Sequence, residues 1–142
     1  MKKIMSLGLF LGLVGLSGLV AAESKLDHSI YLSDFLRIQA FYDSWDDLMR
    51  QPGIPNWLAE GSRNYPGVET PAAKFGSGKE IGYVGFSVCK PHDCPTNLFY
   101  VIFNMDGRKA WGYTPGDKGK SLFFNRPDRK VQQYFQQLNQ TK

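Results

Sequence analysis

Six consecutive residues, Cys89-Lys90-Pro91-His92-Asp93-Cys94, hold the most reactive group of side chains in this sequence. They bring together two sulfurs, an imidazole, a carboxylate and an ammonium, around a proline that fixes one backbone φ. Such a set offers three chemistries. Paired thiols can close a disulfide, thiolates with an imidazole can hold a soft metal, and an imidazole can gain or lose a proton near neutral pH. The chain has 2 Cys and 2 His, so any metal site would have to combine Cys89, His92 and Cys94 with His28. Zinc sites usually pair a C-x2-4-C with a second ligand pair elsewhere, and none exists here. The C-x4-C spacing also differs from the C-x-x-C of thiol redox motifs. No metal and no cofactor are expected.

Other arrangements that could do chemistry are weaker. Gly76-Ser77-Gly78-Lys79-Glu80 lacks the first glycine and the Ser/Thr of a phosphate-binding loop and reads as a hairpin turn. Asp46-Asp47 is a carboxylate pair in the sequence, but neighbours on a helix diverge in direction. No Gly-x-Ser-x-Gly elbow is present. An enzyme is therefore not expected.

The chemistry of the cysteines depends on compartment. Lys2 and Lys3 precede a run from Leu7 to Leu16 made of Leu, Gly, Phe and Val, and Val20-Ala21-Ala22 follows. A basic start, an apolar stretch and small residues at the end describe a cleaved export signal over 1–22. Four glycines in a slightly short run argue against a permanent membrane anchor, since a span needs about 20 apolar residues. The mature chain, 23–142, fits a single domain able to bury its own core. The full chain carries 17 Lys+Arg against 13 Asp+Glu; the signal contains two of the lysines and no acid. The mature excess is only +2, with no block of like charge, so nucleic acid is not an expected partner. An exported chain meets an oxidising compartment, which makes a Cys89–Cys94 disulfide the default expectation.

These residues must be positioned by the surrounding elements. Ser33 is placed to cap a helix whose stripe is Phe35, Leu36, Ala40, Phe41, Trp45, Leu48 and Met49, stopped by Pro52-Gly53. A short turn over Pro55–Glu60 follows, then an irregular connection from Gly61 to Pro71. Ala72–Phe75 and Glu80–Val88 form a hairpin through Gly76-Ser77-Gly78, and Asn97–Asn104 is a central strand. Lys109–Thr114 and Ser121–Phe124 add two strands. Asn125 is read as the cap of a last helix with Val131, Tyr134, Phe135 and Leu138 at i, i+3, i+4 and i+7. The order gives an α+β domain: an antiparallel sheet of four to five strands with an N-terminal and a C-terminal helix packed against it.

On this reading Cys89 and Cys94 stand at the mouth of a hairpin whose tip is Lys90, Pro91, His92 and Asp93. Closing so small a ring contributes about 2 kcal/mol by loop entropy. Its larger effect is local, because a stapled, proline-stiffened tip lowers the ordering cost of inserting into a partner. An ordinary stapled hairpin with His92 merely solvated fits the same residues equally well.

The loop motif, preceded by a β-rich run, resembles without substitution the inhibitory loop of the inhibitor of vertebrate lysozyme (Ivy) family. Pro55-Asn56-Trp57-Leu58 is similar to the family's Pro-x-Trp-apolar segment, and Thr70-Pro71-Ala72 to its Thr-Pro-Ala. The resemblance is traced from Phe41 to about Phe103, roughly half the mature chain. It implies an α+β protein of the bacterial periplasm that binds c-type lysozyme, with the loop entering the substrate cleft. His92 would then meet the catalytic carboxyls, which lie about 5 Å apart in such enzymes. Lys90 would add positive charge, Asp93 would pair with basic residues at the rim or orient the loop, and Pro91, Cys89 and Cys94 would set its shape. A similar loop could also fit the bacterium's own lytic transglycosylases. The best-known members dimerise, so some of the strand aromatics (14% aromatic overall) could line a homodimer face rather than the core.

Overall fold

The computed structural model describes residues 29–61, 63–77, 79–116 and 120–141. The expected signal 1–22 and His28 lie outside them. Ten elements follow in order: α1 (Leu32–Phe35), α2 (Gln39–Met49), α3 (Asn56–Ala59), β1 (Val68–Glu69), β2 (Ala73–Ser77), β3 (Glu80–Cys89), β4 (Leu98–Asn104), β5 (Ala110–Thr114), β6 (Leu122–Phe124) and α4 (Arg129–Gln140). The strands make one antiparallel sheet in the order β1-β3-β4-β5-β6, with β2 also paired to β3. The α+β architecture is as expected. The sheet has six strands rather than four or five, the extra one being β1.

The dense apolar run of β4 follows from its place at the centre, where both faces are covered. Phe99, Val101 and Phe103 point to one face, packed with Leu32, Leu36, Phe41, Trp45, Leu48 and Leu58 from α1–α3. Tyr100 and Ile102 point to the other, where Val131 and Phe135 of α4 meet Phe75 and Trp111. Fully burying each such Phe stabilises the fold by about 1.5–3 kcal/mol. Gly112 sits where a Cβ would come within 2.5 Å of the Phe99 ring, so a bare position lets that ring seat. The predicted strand aromatics are thus mainly core, although Phe123 on edge strand β6 remains 41% exposed.

Two helix starts differ from the sequence reading. The N-terminal stripe is divided between α1 and α2. Ile38 adopts an extended conformation between them (φ −89°, ψ 122°). The Arg63 side chain donates to the freed Leu36 carbonyl and stacks on Tyr42, a tertiary contact invisible to local periodicity. Ser33 therefore does not cap the long helix; its N–H and hydroxyl donate to Glu69 at 2.6 and 2.8 Å, tying α1 to β1. At the other end, Asp128 rather than Asn125 caps α4, accepting from the Val131 N–H at 2.9 Å. Asn125 has φ +64° and donates its side-chain amide to the Ala110 carbonyl, so it closes the β5–β6 end of the sheet.

Candidate functional site

Strands β3 and β4 pair from Tyr83↔Asn104 to Cys89↔Leu98, and the segment 90–97 joins them. Cys89 is held on both sides, against Leu98 of β4 and Val68 of β1. The crossing of β1 is close: a Cβ on Gly67 would lie 2.6 Å from the Cys89 carbonyl oxygen, which leaves room for glycine alone. Beside this junction Thr70 and Ser87 join their hydroxyls at 2.6 Å. The loop thus springs from a fixed base.

Cys89 and Cys94 form a disulfide with Cα atoms 4.8 Å apart. This removes both sulfurs from the metal reading of Cys89, His92 and Cys94. The bridge does not lie across the mouth of the hairpin, as the sequence suggested. Cys94 is within the loop, and Pro95, Thr96 and Asn97 still separate it from β4. The bridge closes only the first half of the connection. The pairing of β3 with β4 already registers Cys89 with Leu98, so the second cysteine is free to fold back and shape the tip.

Within the ring, the Lys90 carbonyl accepts from the Asp93 N–H at 3.0 Å. Residues 90–93 therefore form a β-turn, with Pro91 second and His92 third at φ +66°. Proline followed by a positive φ is the type II pattern, whose third position normally goes to Gly or Asn. A histidine there costs about 1–2 kcal/mol in backbone strain. Lys90, Pro91 and His92 are exposed. Among the described residues, the Lys90 ammonium and the His92 imidazole make no hydrogen bond or ion pair. Asp93 is different: half-buried, its carboxylate accepts from the Asn97 side-chain amide at 2.6 Å.

Asn97 was read in the sequence only as the first residue of a strand, yet it bonds to both ends of the turn. The Lys90 N–H donates to its carbonyl and its own N–H donates to the Asp93 carbonyl, each at 3.0 Å. An Asx residue four positions after Asp93, at the loop's exit, was the available signal. A second feature, an apolar groove of about 610 Å³, lies on the α4 side of the bridge between Pro71, Pro95, Leu98, Tyr100 and Leu138. Its floor is tied to α4 by the Tyr100 hydroxyl, which donates to Asn139 at 2.8 Å. Burial pushes the Tyr100 phenol up to about 12, with nearby Tyr113 adding to the rise.

The remaining candidates do not converge. Asp46 pairs with Arg50 one turn along α2, while Asp47 is exposed on a different side of the helix. Gly76 and Ser77 belong to β2 itself, where the register shifts after Phe75.

Comparison with known proteins gives two findings. The family described as inhibitor of vertebrate lysozyme (Ivy) matches residues 40–140, carrying the likeness well past Phe103 and through α4. An uncharacterized protein of Yersinia pestis is 30% identical over 94 residues, 64% of this chain and 58% of that protein. The chain thus spans under two thirds of the length of that curated relative.

Proposed function

The chain belongs to the inhibitor of vertebrate lysozyme (Ivy) family, and from that premise we propose that it is an exported, periplasmic inhibitor of c-type lysozyme. In this reading the loop Cys89–Cys94 enters the substrate cleft and His92 stands between the two catalytic carboxyls. The observation that carries it is the state of His92: exposed, without a hydrogen bond or ion pair among the described residues, and set at a left-handed position that costs energy to keep. Strain of this kind persists only where the surrounding structure enforces it, and it clusters at functional sites.

The chemistry of the target fits. A glycosidase of this class works with one carboxyl protonated and one ionised. A doubly protonated imidazole has an N–H for each, and its positive charge is favoured by them. The imidazole would occupy the space of the scissile sugar bond, and the enzyme would be blocked without any reaction. Lys90 adds a second positive charge at the tip. The fixed base and the bridge keep the loop close to its bound form, so little ordering entropy is lost on association.

The test is a cell-wall lysis assay with the mature protein added to c-type, g-type and i-type lysozymes and to a lytic transglycosylase. Inhibition of the c-type enzyme is the expected result. Undiminished lysis by the c-type enzyme with excess protein present would rule the proposal out, and inhibition of the transglycosylase alone would redirect it to the bacterium's own wall enzymes.

A further inference from the structure

We propose that Asn97 is a positioning residue for the loop, and that Asp93 serves as its acceptor rather than as a charged contact to the target. The inference rests on the inhibitory reading of the loop. The disulfide joins Cys89 to Cys94 but leaves the turn between them free to relax, apart from the φ that Pro91 fixes. Something further must hold His92 at φ +66°. Asn97 lies outside the ring and reaches both ends of the turn: its carbonyl holds the Lys90 N–H, its N–H holds the Asp93 carbonyl, and its amide holds the Asp93 carboxylate. The disulfide and Asn97 therefore clamp the same four residues from opposite directions.

Electrostatics give the second argument. The loop is proposed to meet two carboxyls, yet it carries a carboxylate next to the probing imidazole. Like charges a few ångströms apart repel in water, and more strongly where water is excluded. The amide of Asn97 draws the Asp93 carboxylate inward at 2.6 Å, which leaves Lys90 and His92 as the groups at the tip. An acid is tolerated in a loop aimed at acids because it is spent on the frame.

The experiment compares the parent with Asn97→Ala, Asp93→Ala and Asp93→Asn. Two quantities are read: hydrogen exchange of the Asp93 backbone amide in the free protein by NMR, and affinity for a c-type lysozyme. Asn97→Ala and Asp93→Ala should lose protection at that amide and bind about tenfold more weakly, as the tip-competent fraction falls. Melting temperature and the protection of β3 and β4 amides should not change, which separates positioning from general stability. Asp93→Asn keeps an acceptor oxygen for Asn97 and should retain most of the binding that Asp93→Ala loses. Parent-like protection and affinity in Asn97→Ala would overturn the proposal. Equal damage from Asp93→Asn and Asp93→Ala would overturn the role of Asp93 and assign its charge to a basic contact on the enzyme's rim. If the parent itself binds no lysozyme, the inhibitory reading fails, while the exchange data still decide whether Asn97 holds the turn.

Discussion

Strand β4 has a turn at each end, and both turns need a positive φ. Toward β5 the residue is Gly107 at φ +73°; toward β3 it is His92 at φ +66°. Gly107 is packed down on the helices. Its carbonyl accepts from the Ser44 hydroxyl at 2.8 Å, and a Cβ there would lie 2.5 Å from the Phe41 ring. Asp106 and Asn104 satisfy the following amides of Arg108 and Lys109, each at 2.9 Å. In that turn the residue with the positive φ is itself buried, while Met105, Asp106, Arg108 and Lys109 around it are exposed. His92 stands in the same backbone region with a full side chain, exposed and, among the described residues, without a hydrogen bond or ion pair. Where the chain only has to reverse, glycine avoids the strain. Asn125 and Arg126 also take positive φ, at 64° and 49°, so strain alone marks no function; what distinguishes His92 is an exposed imidazole on a disulfide-closed tip, and that supports a binding role for the second turn.

The sharpest way to break the comparison is to exchange the consequences. Gly107→Ala should lose about 2–4 kcal/mol of stability, from left-handed strain plus overpacking on Phe41, seen as a melting point about 10 °C lower. Inhibition per folded molecule should be unaffected. His92→Ala should do the reverse, costing about 2–4 kcal/mol of affinity as a central anchor is lost, with an unchanged melting point. A melting curve and a lysozyme titration on each variant check both, and matched effects from the two substitutions would erase the contrast.

A smaller effect is expected from the bridge. Replacing Cys89 and Cys94 by Ser should cost about 2 kcal/mol of stability and weaken binding as well, because the tip then has more conformations to lose. Binding by the double Ser variant at parental strength would remove preorganisation from the account. Tyr100 on β4 probes the strand that carries both turns. Its phenol is held neutral up to about 12 against an ordinary 10.0. Because burial disfavours the phenolate, the fold keeps its full stability below pH 10 and loses about 2 kcal/mol as pH rises through 12. Denaturant melts of parent and Tyr100→Phe should keep a constant difference below pH 10, and the parent should then lose stability relative to the Phe variant as pH rises toward 12. The smallest effect is His92→Gly against His92→Ala: relief of the left-handed strain should leave the Gly variant about 0.5 kcal/mol more stable. An Ala variant as stable as the Gly variant would mean that the tip is not strained.

Features with a local signal were legible in the sequence. The stripe Val131, Tyr134, Phe135 and Leu138 gave α4, and the β-rich runs on either side of the two cysteines gave β3 and β4. The loop was visible as a compact set of reactive side chains. What escaped was set by contacts between distant residues. The N-terminal stripe keeps helical spacing across the break at Ile38, and only Arg63 reveals that Leu36 ends a helix. Strand β1 has two residues in a stretch rich in Gly and Pro, with no room for an alternating pattern; its register with Cys89 and Val88 defines it. Asn97 looked like the start of a strand because the hydrogen bonds that distinguish it run back across the loop to Lys90 and Asp93.

The central claim is that the loop occupies the space where substrate binds. Competition measures it directly: titrate a c-type lysozyme with the protein at rising concentrations of a chito-oligosaccharide that fills the catalytic cleft. The account predicts that the sugar weakens apparent affinity in proportion to its occupancy, until one displaces the other. An affinity that stays constant with the cleft saturated by sugar would place the contact elsewhere on the enzyme and contradict the role given to His92.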